Sequence, residues 1–274
     1  MAYRAPRYSY VHAVRDVGAS AISLNPGTAD TDFPLDNLID ERAGTLFKFD
    51  STESDPSIEI DLGADFVTGL TRLIVPMPHN IEVVYVYDDD AADFVGLTTL
   101  GSKDPVTAGE TLDLTFTAST QRYIRIRLWN TSATLHYLPQ LILTKVQEFD
   151  VGPVLGDALD GKAANVTRLN QPTGISPTIQ HGADQRILEY FYENPLTDAG
   201  GSTDITDMEA LVAAVGMYRP FWVDPASFST PPETDEPVLW MKFAEMPESR
   251  LSVLVPASND RAKTYSLRLI QSLD

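Results

Sequence analysis

The sequence predicts a mainly β protein of two β-sandwich domains, the second carrying one packed helix. Three observations predict it. Short segments of alternating apolar residues recur with turn residues between them, the pattern of half-buried strands in a sandwich. A single segment has a helical apolar stripe with start and stop signals at its ends. A Gly- and Asp-rich stretch, "FDVGPVLGDALDGKAAN" over residues 149–165, interrupts the alternation and reads as a linker. The 274 residues are long for one all-β domain and comfortable for two, and 43% hydrophobic content supplies apolar mass for two cores. The expected division is an N-terminal arm over 1–16, a first sandwich over 17–149, a linker over 150–164 and a second sandwich over 165–274.

Along the chain, "SIEIDLG" turns Ile58, Ile60 and Leu62 inward and Glu59 and Asp61 outward. "TRLIVPM", "IEVVYVYDDD", "ETLDLTFTA", "QRYIRIRLWN" and "PQLILTKVQEF" follow as further strands. In "QRYIRIRLWN", Ile124, Ile126 and Leu128 share the inner face, and Tyr123, Arg125, Arg127 and Trp129 the outer. Cross-strand pairing with Glu59 and Asp61 is expected to neutralise the two arginines. After the linker, "RILEYFYENP", "EPVLWMKFAEM", "RLSVLVPAS" and "KTYSLRLIQSL" read as strands, while Gly200-Gly201 and "STPPETDEP" read as exposed loops. The helix is expected at about 206–216. "TDME" is a capping box from Thr206 to Glu209, Met208, Leu211, Val212 and Val215 form the stripe, and Gly216 stops it.

Composition excludes several classes. There is no cysteine, hence no disulfide framework, thiolate metal site or cysteine nucleophile. No apolar run approaches the ~20 residues of a membrane helix, so no membrane insertion is expected. "MAYRAPRYSYVHAVRD" lacks the apolar core of a secretory signal and reads as a loose tail, or as a basic, aromatic arm in which Arg4, Arg7 and Arg15 reach an acidic neighbour. A net charge of −19, spread over both halves, argues against direct nucleic-acid binding.

Chemistry-bearing motifs are sparse. His12, His79, His136 and His181 lack any zinc-ligand spacing. There is no G-x-S-x-G elbow, S-x-x-K motif or phosphate loop, and no carboxylate pair stands out, so no catalytic residues are assigned and no enzyme is expected. Two acidic stretches are calcium candidates: Asp30, Asp32, Asp36, Asn37 and Asp40, the preferred one, and Asp88, Asp89, Asp90 and Asp93. Asp and Asn serve equally as turn and cap residues, so no cofactor is assigned beyond that weak calcium candidacy. The sequons at Asn130 and Asn165 are short enough to arise by chance. Tyr85, Tyr87, Tyr123 and Trp129, on alternate strand positions, are the candidate contacts for a glycan or a protein partner.

The succession "IEIDLG", "NIEVVYVYDDDAADFVGL", "RYIRIRLWN" and "LPQLILTKVQEF", over about residues 17–149, resembles the discoidin or galactose-binding-like jelly-roll family. That resemblance implies a jelly roll, and in sugar-binding members loop residues at one end of the sandwich hold the ligand. No ligand-loop motif is matched, and the disulfide that often brackets secreted members is absent. The pattern "GADQRILEYFYENP…STDITDMEALVAAVGMYRPFWVDP…VLWMKFAE", over about 165–274, looks like the oligomerisation domains of distal-tail and tail-tube proteins of bacteriophages. It implies a structural component of a virion tail, tail tip or baseplate, assembled in the host cytoplasm as a homo-oligomeric ring that contacts other tail proteins. The alternative function is a carbohydrate-binding adhesin or host-glycan module.

Overall fold

A computed structural model describes residues 5–42, 44–64, 69–107, 109–149, 159–163, 166–168, 178–180, 185–197, 203–216, 219–225, 238–251 and 262–272. The chain forms two compact units. One is Val11–Val146; the other joins the residues up to Tyr10 to Gln147–Leu273. Strand β1 (Arg7–Ser9) therefore belongs with the C-terminal unit, while the short helix α1 (Ala13–Val17) belongs with the N-terminal one.

The N-terminal unit contains β2 (Ile22–Asn25), β3 (Phe47–Lys48), β4 (Ser57–Asp61), β5 (Arg72–Val75), β6 (Val83–Asp89), β7 (Thr98–Lys103), β8 (Leu112–Thr115), β9 (Tyr123–Trp129), β10 (Tyr137–Leu138) and β11 (Ile142–Thr144). Five strands form one antiparallel sheet in the order β2-β4-β9-β6-β7, and three form another in the order β11-β5-β8. β3 and β10 make a small separate pair. The inner residues of both sheets share one core. Ile58, Ile60, Val84, Val86, Ile124, Ile126 and Leu128 come from the larger sheet, and Leu73, Val75, Leu112, Leu114 and Leu143 from the smaller. Each such side chain contributes roughly 1.5–3 kcal/mol by leaving water. The result is a sandwich of five strands over three, in keeping with the jelly roll that the galactose-binding-like resemblance implies. The alternation read from the sequence gives β4, β6 and β9 their faces. β7 was not expected: "TTLGSK" is an edge strand that buries Leu100 alone, so it carries no alternation to read.

The C-terminal unit contains β12 (Leu159–Ala163), β13 (Val166–Arg168), β14 (Thr178–Gln180), β15 (Gln185–Thr197), α2 (Asp204–Val215), β16 (Phe221–Asp224), β17 (Leu239–Phe243), β18 (Glu248–Leu251) and β19 (Ala262–Gln271). Its main sheet runs β1-β16-β17-β19-β15-β12, with β18 also paired to β19, and β13 pairs with β14. α2 packs on β15 through Met208 and Leu211, both fully buried, into a core with Tyr8, Tyr190, Phe221, Met241 and Leu267.

Three expectations change here. The helix starts at Asp204, because Thr203 takes the N-cap position and its hydroxyl donates to Asp207; Thr206 lies inside the first turn. Gly216 does end the helix, at φ 57°, a conformation that glycine adopts at no steric cost. The linker holds β12, which pairs residue by residue with β15 from Leu159↔Glu189 to Ala163↔Gln185; a long neighbouring edge recruits a segment that has no apolar pattern of its own. Residues 150–158, Gly200-Gly201, "STPPETDEP" and Ser252 onward in "RLSVLVPAS" lie outside the described residues.

The expected free arm is likewise integrated. Tyr8 is fully buried, its hydroxyl lies 2.9 Å from that of Tyr192, and its backbone exchanges hydrogen bonds with Gln147. Arg7 pairs with Glu148, and Arg15 with Asp16 and Glu41. Arg4 lies outside the described residues. Replacing Tyr8 by Ala should then destabilise the C-terminal unit by about 3–5 kcal/mol. Urea unfolding followed by tryptophan fluorescence, with Trp129→Phe leaving Trp222 and Trp240 as reporters, reads this. An unchanged midpoint would show that the segment is a dispensable arm.

Candidate functional site

The outer face of the five-stranded sheet gathers the aromatic and basic residues. β9 lies between β4 and β6, with Glu59 and Tyr87 on either side of Arg125, Ser57 and Tyr85 on either side of Arg127, and Asp61 and Asp89 on either side of Tyr123. Tyr85, Tyr87, Tyr123 and Trp129 are all half-buried. The Tyr85 and Tyr87 rings stack at 6.2 Å and 22°. Trp129 stands at the end of β9, opposite Val83. These four sequence candidates therefore share one face, with Trp129 at its margin.

The arginines between the rings are individually held. Arg125 donates to Glu59 at 2.6 Å, as expected from the sequence. Arg127 forms a two-pronged pair with Asp55, in the loop before β4, and not with Asp61. Asp61 instead receives Arg122 at 2.5 and 2.6 Å, because the register sets Asp61 opposite Tyr123, two pleat repeats from Arg127. The Arg122 hydrogen bonds hold the Asp61 carboxyl below its usual range, helped by the Gly63 amide. The Asp55 carboxylate likewise raises the proton affinity of Arg127. The cations also lie on rings: Arg125 is 4.6 Å from the Phe94 centroid, Arg122 is 5.0 Å from Tyr123 and Arg127 is 5.8 Å from Tyr85. Three arginines matched by three carboxylates bring the middle of this face close to charge balance in a strongly acidic chain, with Asp89 as a further carboxylate at its edge.

At one end of the sandwich a polar network fixes the loops. Asn130 accepts from the Glu82 amide and donates to the Asn80 carbonyl, and Asn80 accepts from the Tyr137 amide and donates to the Leu135 carbonyl, all at 2.9–3.0 Å. Glu82 accepts from both the amide and the hydroxyl of Thr131, which lowers its pKa. Asn130 is thus a buried structural residue and not an exposed glycan acceptor. Asn165 lies outside the described residues.

Most of the calcium candidates accept backbone amides of nearby residues. Asp30 accepts from the Asp32 amide, Asp40 accepts from the Arg42 amide and the Thr45 hydroxyl, and Asp36 lies exposed in a short 3₁₀ turn. Asp88 accepts from the Thr120 amide, Asp89 from Ala91 and Asp93 from Val95. Among the described residues no three acidic or imidazole groups converge to hold a metal ion.

Three histidines are buried in the N-terminal unit. His79 Nε2 donates to the Glu110 carbonyl and His136 Nε2 to that of Glu53, both at 3.0 Å; His12 Nδ1 accepts from the Arg15 amide at 3.2 Å. Burial holds all three below the ordinary imidazole range, His12 at about 3 with the nearby Arg15 adding to the shift. His181 lies outside the described residues. Sequence reasoning missed Phe94, Asp55 and Arg122 at the outer face. The one available signal for Phe94 is a lone aromatic in the otherwise polar loop "DDDAADFVGL".

No protein family and no curated protein matches the chain. Among solved structures, chitosan-binding module 1 of a chitosanase/glucanase from Paenibacillus sp. IK-5 is 16% identical with a TM-score of 0.38, over 46% of this chain and 93% of that one. The CBM32 of AlyQ in complex with 4,5-unsaturated mannuronic acid is 19% identical with a TM-score of 0.36, over 49% and 96%. A CBM32 from Clostridium perfringens in complex with GalNAc-β-1,3-galactose is 11% identical with a TM-score of 0.37, over 46% and 96%. At these values the likenesses assign no function to this chain, and its fold follows from its own strand order.

The buried imidazoles set a pH dependence. Their folded pKa values lie below the unfolded value of about 6.5, so at lower pH the unfolded chain binds more protons than the folded one. Their contribution is complete above pH 6.5 and is lost progressively as pH falls from there toward 3. Asp61, whose folded pKa is also lowered, adds a loss below about pH 4. Thermal melts of the N-terminal unit between pH 8 and pH 4.5 should show a falling Tm that is blunted in His136→Gln. A flat profile would contradict the buried neutral assignment.

Proposed function

We propose that the chain is a non-catalytic binding protein whose jelly-roll unit takes a neutral carbohydrate on the outer face of its five-stranded sheet. One observation carries this reading: aromatic rings lie on a hydrogen-bonding face whose arginines are charge-matched. Stacked Tyr85 and Tyr87, with Trp129 at the margin, offer the π surface against which the C–H face of a sugar ring packs. Arg122, Arg125 and Arg127 are each held by a carboxylate, so the face exerts little net pull on anions and suits hydroxyl-rich ligands. The arginines are fixed before any ligand arrives, which limits the ordering cost of binding. Absence of a nucleophile motif or acid pair in the sequence favours binding over catalysis.

The second reading is a ring-forming component of a phage tail, contacting other tail proteins in the virion. It rests on the resemblance of residues 165–274 to tail oligomerisation domains, and the order β15-α2-β16-β17 is the strand, helix and strands on which that resemblance was drawn. The solved structures named above include no tail protein. The two readings are compatible, since a tail protein can carry a sugar-binding decoration.

A glycan array followed by calorimetric titration tests the first reading. Binding of at least one neutral saccharide is expected, and Trp129→Ala or Tyr87→Ala should weaken it about tenfold or more. Full affinity in both variants would remove the outer face from consideration. Light scattering at high concentration tests the second: a closed-ring mass is expected, whereas a strict monomer that recovers no partner from tail lysates would end it.

A further inference from the structure

The loop between β6 and β7 folds back over the outer face at the end away from Trp129. Phe94, in this loop, is buried, and its ring meets Tyr123 edge-on at 6.1 Å and covers the Arg125 guanidinium at 4.6 Å. Its backbone sits at φ 52°, a left-handed conformation that a bulky side chain adopts against steric resistance. Its neighbour Val95 is 82% exposed, so the loop presents an apolar tip.

Two unmatched polar atoms lie on the face that this loop covers. Asp89 is 2% exposed; its Oδ1 accepts from the Ala91 amide at 3.0 Å, while its Oδ2 is buried with no hydrogen-bond partner among the described residues. Arg125 donates from Nη2 to Glu59, while its Nε is buried with no partner among the described residues. Tyr87 faces Arg125 and Asp89 faces Tyr123, so Asp89 and Arg125 are diagonal neighbours on one face of adjacent strands. Buried polar atoms without partners are rare, and each is costly. Here one is a pure acceptor and the other a pure donor. A group that donates and accepts at once, a hydroxyl, satisfies both.

A cation suits the place poorly. Asp88 points to the opposite face and is occupied by the Thr120 amide, Asp93 is occupied by the Val95 amide, and the Arg125 guanidinium repels a metal ion. We propose that Asp89 and Arg125 form a subsite that binds one hydroxyl of a neutral sugar, with Phe94 and Tyr123 as its apolar walls and the 90–97 loop as its lid. This subsite rests on the carbohydrate reading above and extends it from the tyrosine strip to the opposite end of the face. The lid opens to admit the ring, relieving the left-handed Phe94 backbone, and closes on the seated hydroxyl.

The test is calorimetric titration of the full chain with galactose, glucose, N-acetylglucosamine, lactose and cellobiose, alongside Asp89→Asn, Gly96→Ala and Trp129→Ala. Asp89→Asn keeps the side-chain shape and exchanges the charged acceptor for an amide. Gly96→Ala adds a methyl 3.5 Å from Asp89 Oδ1, an ordinary contact that the fold tolerates and that crowds the subsite. Both are expected to weaken binding about tenfold or more with unchanged melting transitions. If both variants bind like the native chain while Trp129→Ala has lost binding, the subsite is overturned and the carbohydrate reading stands. If the native chain takes none of these sugars, both fall.

Discussion

Strand β9 fixes everything that the jelly roll displays. Its inner residues Ile124, Ile126 and Leu128 are fully buried, so its register cannot slip by one residue without moving three core side chains into water and two arginines into the core. That constraint dictates where Tyr123, Arg125, Arg127 and Trp129 stand. It also dictates which residues of β4 and β6 meet them. The outer face is a consequence of core packing, and its order is that of the core read in mirror fashion.

Charge pairing then decides what kind of face this is. A chain of net charge −19 has carboxylates to spare, and the outer sheet uses three of them to hold three arginines. The Arg122–Asp61 and Arg127–Asp55 pairs are about two-fifths exposed, so solvent screens them and they add little stability. The Arg125–Glu59 pair is more enclosed, at 19% and 12%, so removing either partner costs more than the pair contributes. The effect of the ladder is therefore less on stability than on order. It clamps long side chains beside the tyrosine rings and cancels the field that would otherwise favour cations. A half-buried, preset surface with its arginines charge-matched suits recognition of an uncharged partner.

The sequence disclosed what depends on alternation and concealed what depends on neighbours. β4, β6 and β9 were legible because each buries one face, and the Arg125–Glu59 pair followed from their adjacency. The partner of Arg127 did not follow, because Asp55 lies in a loop whose path no periodicity describes. β7 and β12 are strands by recruitment: each lies along a neighbour's edge without an apolar pattern of its own. The N-terminal segment reads as a loose arm from sequence because Tyr8 is buried by residues more than 130 positions away, in the C-terminal unit. The Phe94 loop was read as an acidic cluster, since four aspartates outweigh one phenylalanine in composition. In the structure that phenylalanine sets the loop's position and the aspartates are divided between two faces.

The central claim is that the outer face of β6 and β9 is a carbohydrate surface. The most direct measurement is amide shift mapping by NMR during titration of the full chain with a neutral disaccharide such as lactose. The account predicts saturable shifts along Tyr85–Asp89 and Tyr123–Trp129 and in the 90–97 loop, with the inner strand β5 unmoved. Shifts confined to the loops around residues 26–55 and 76–82, or no saturable shift at all, would contradict it.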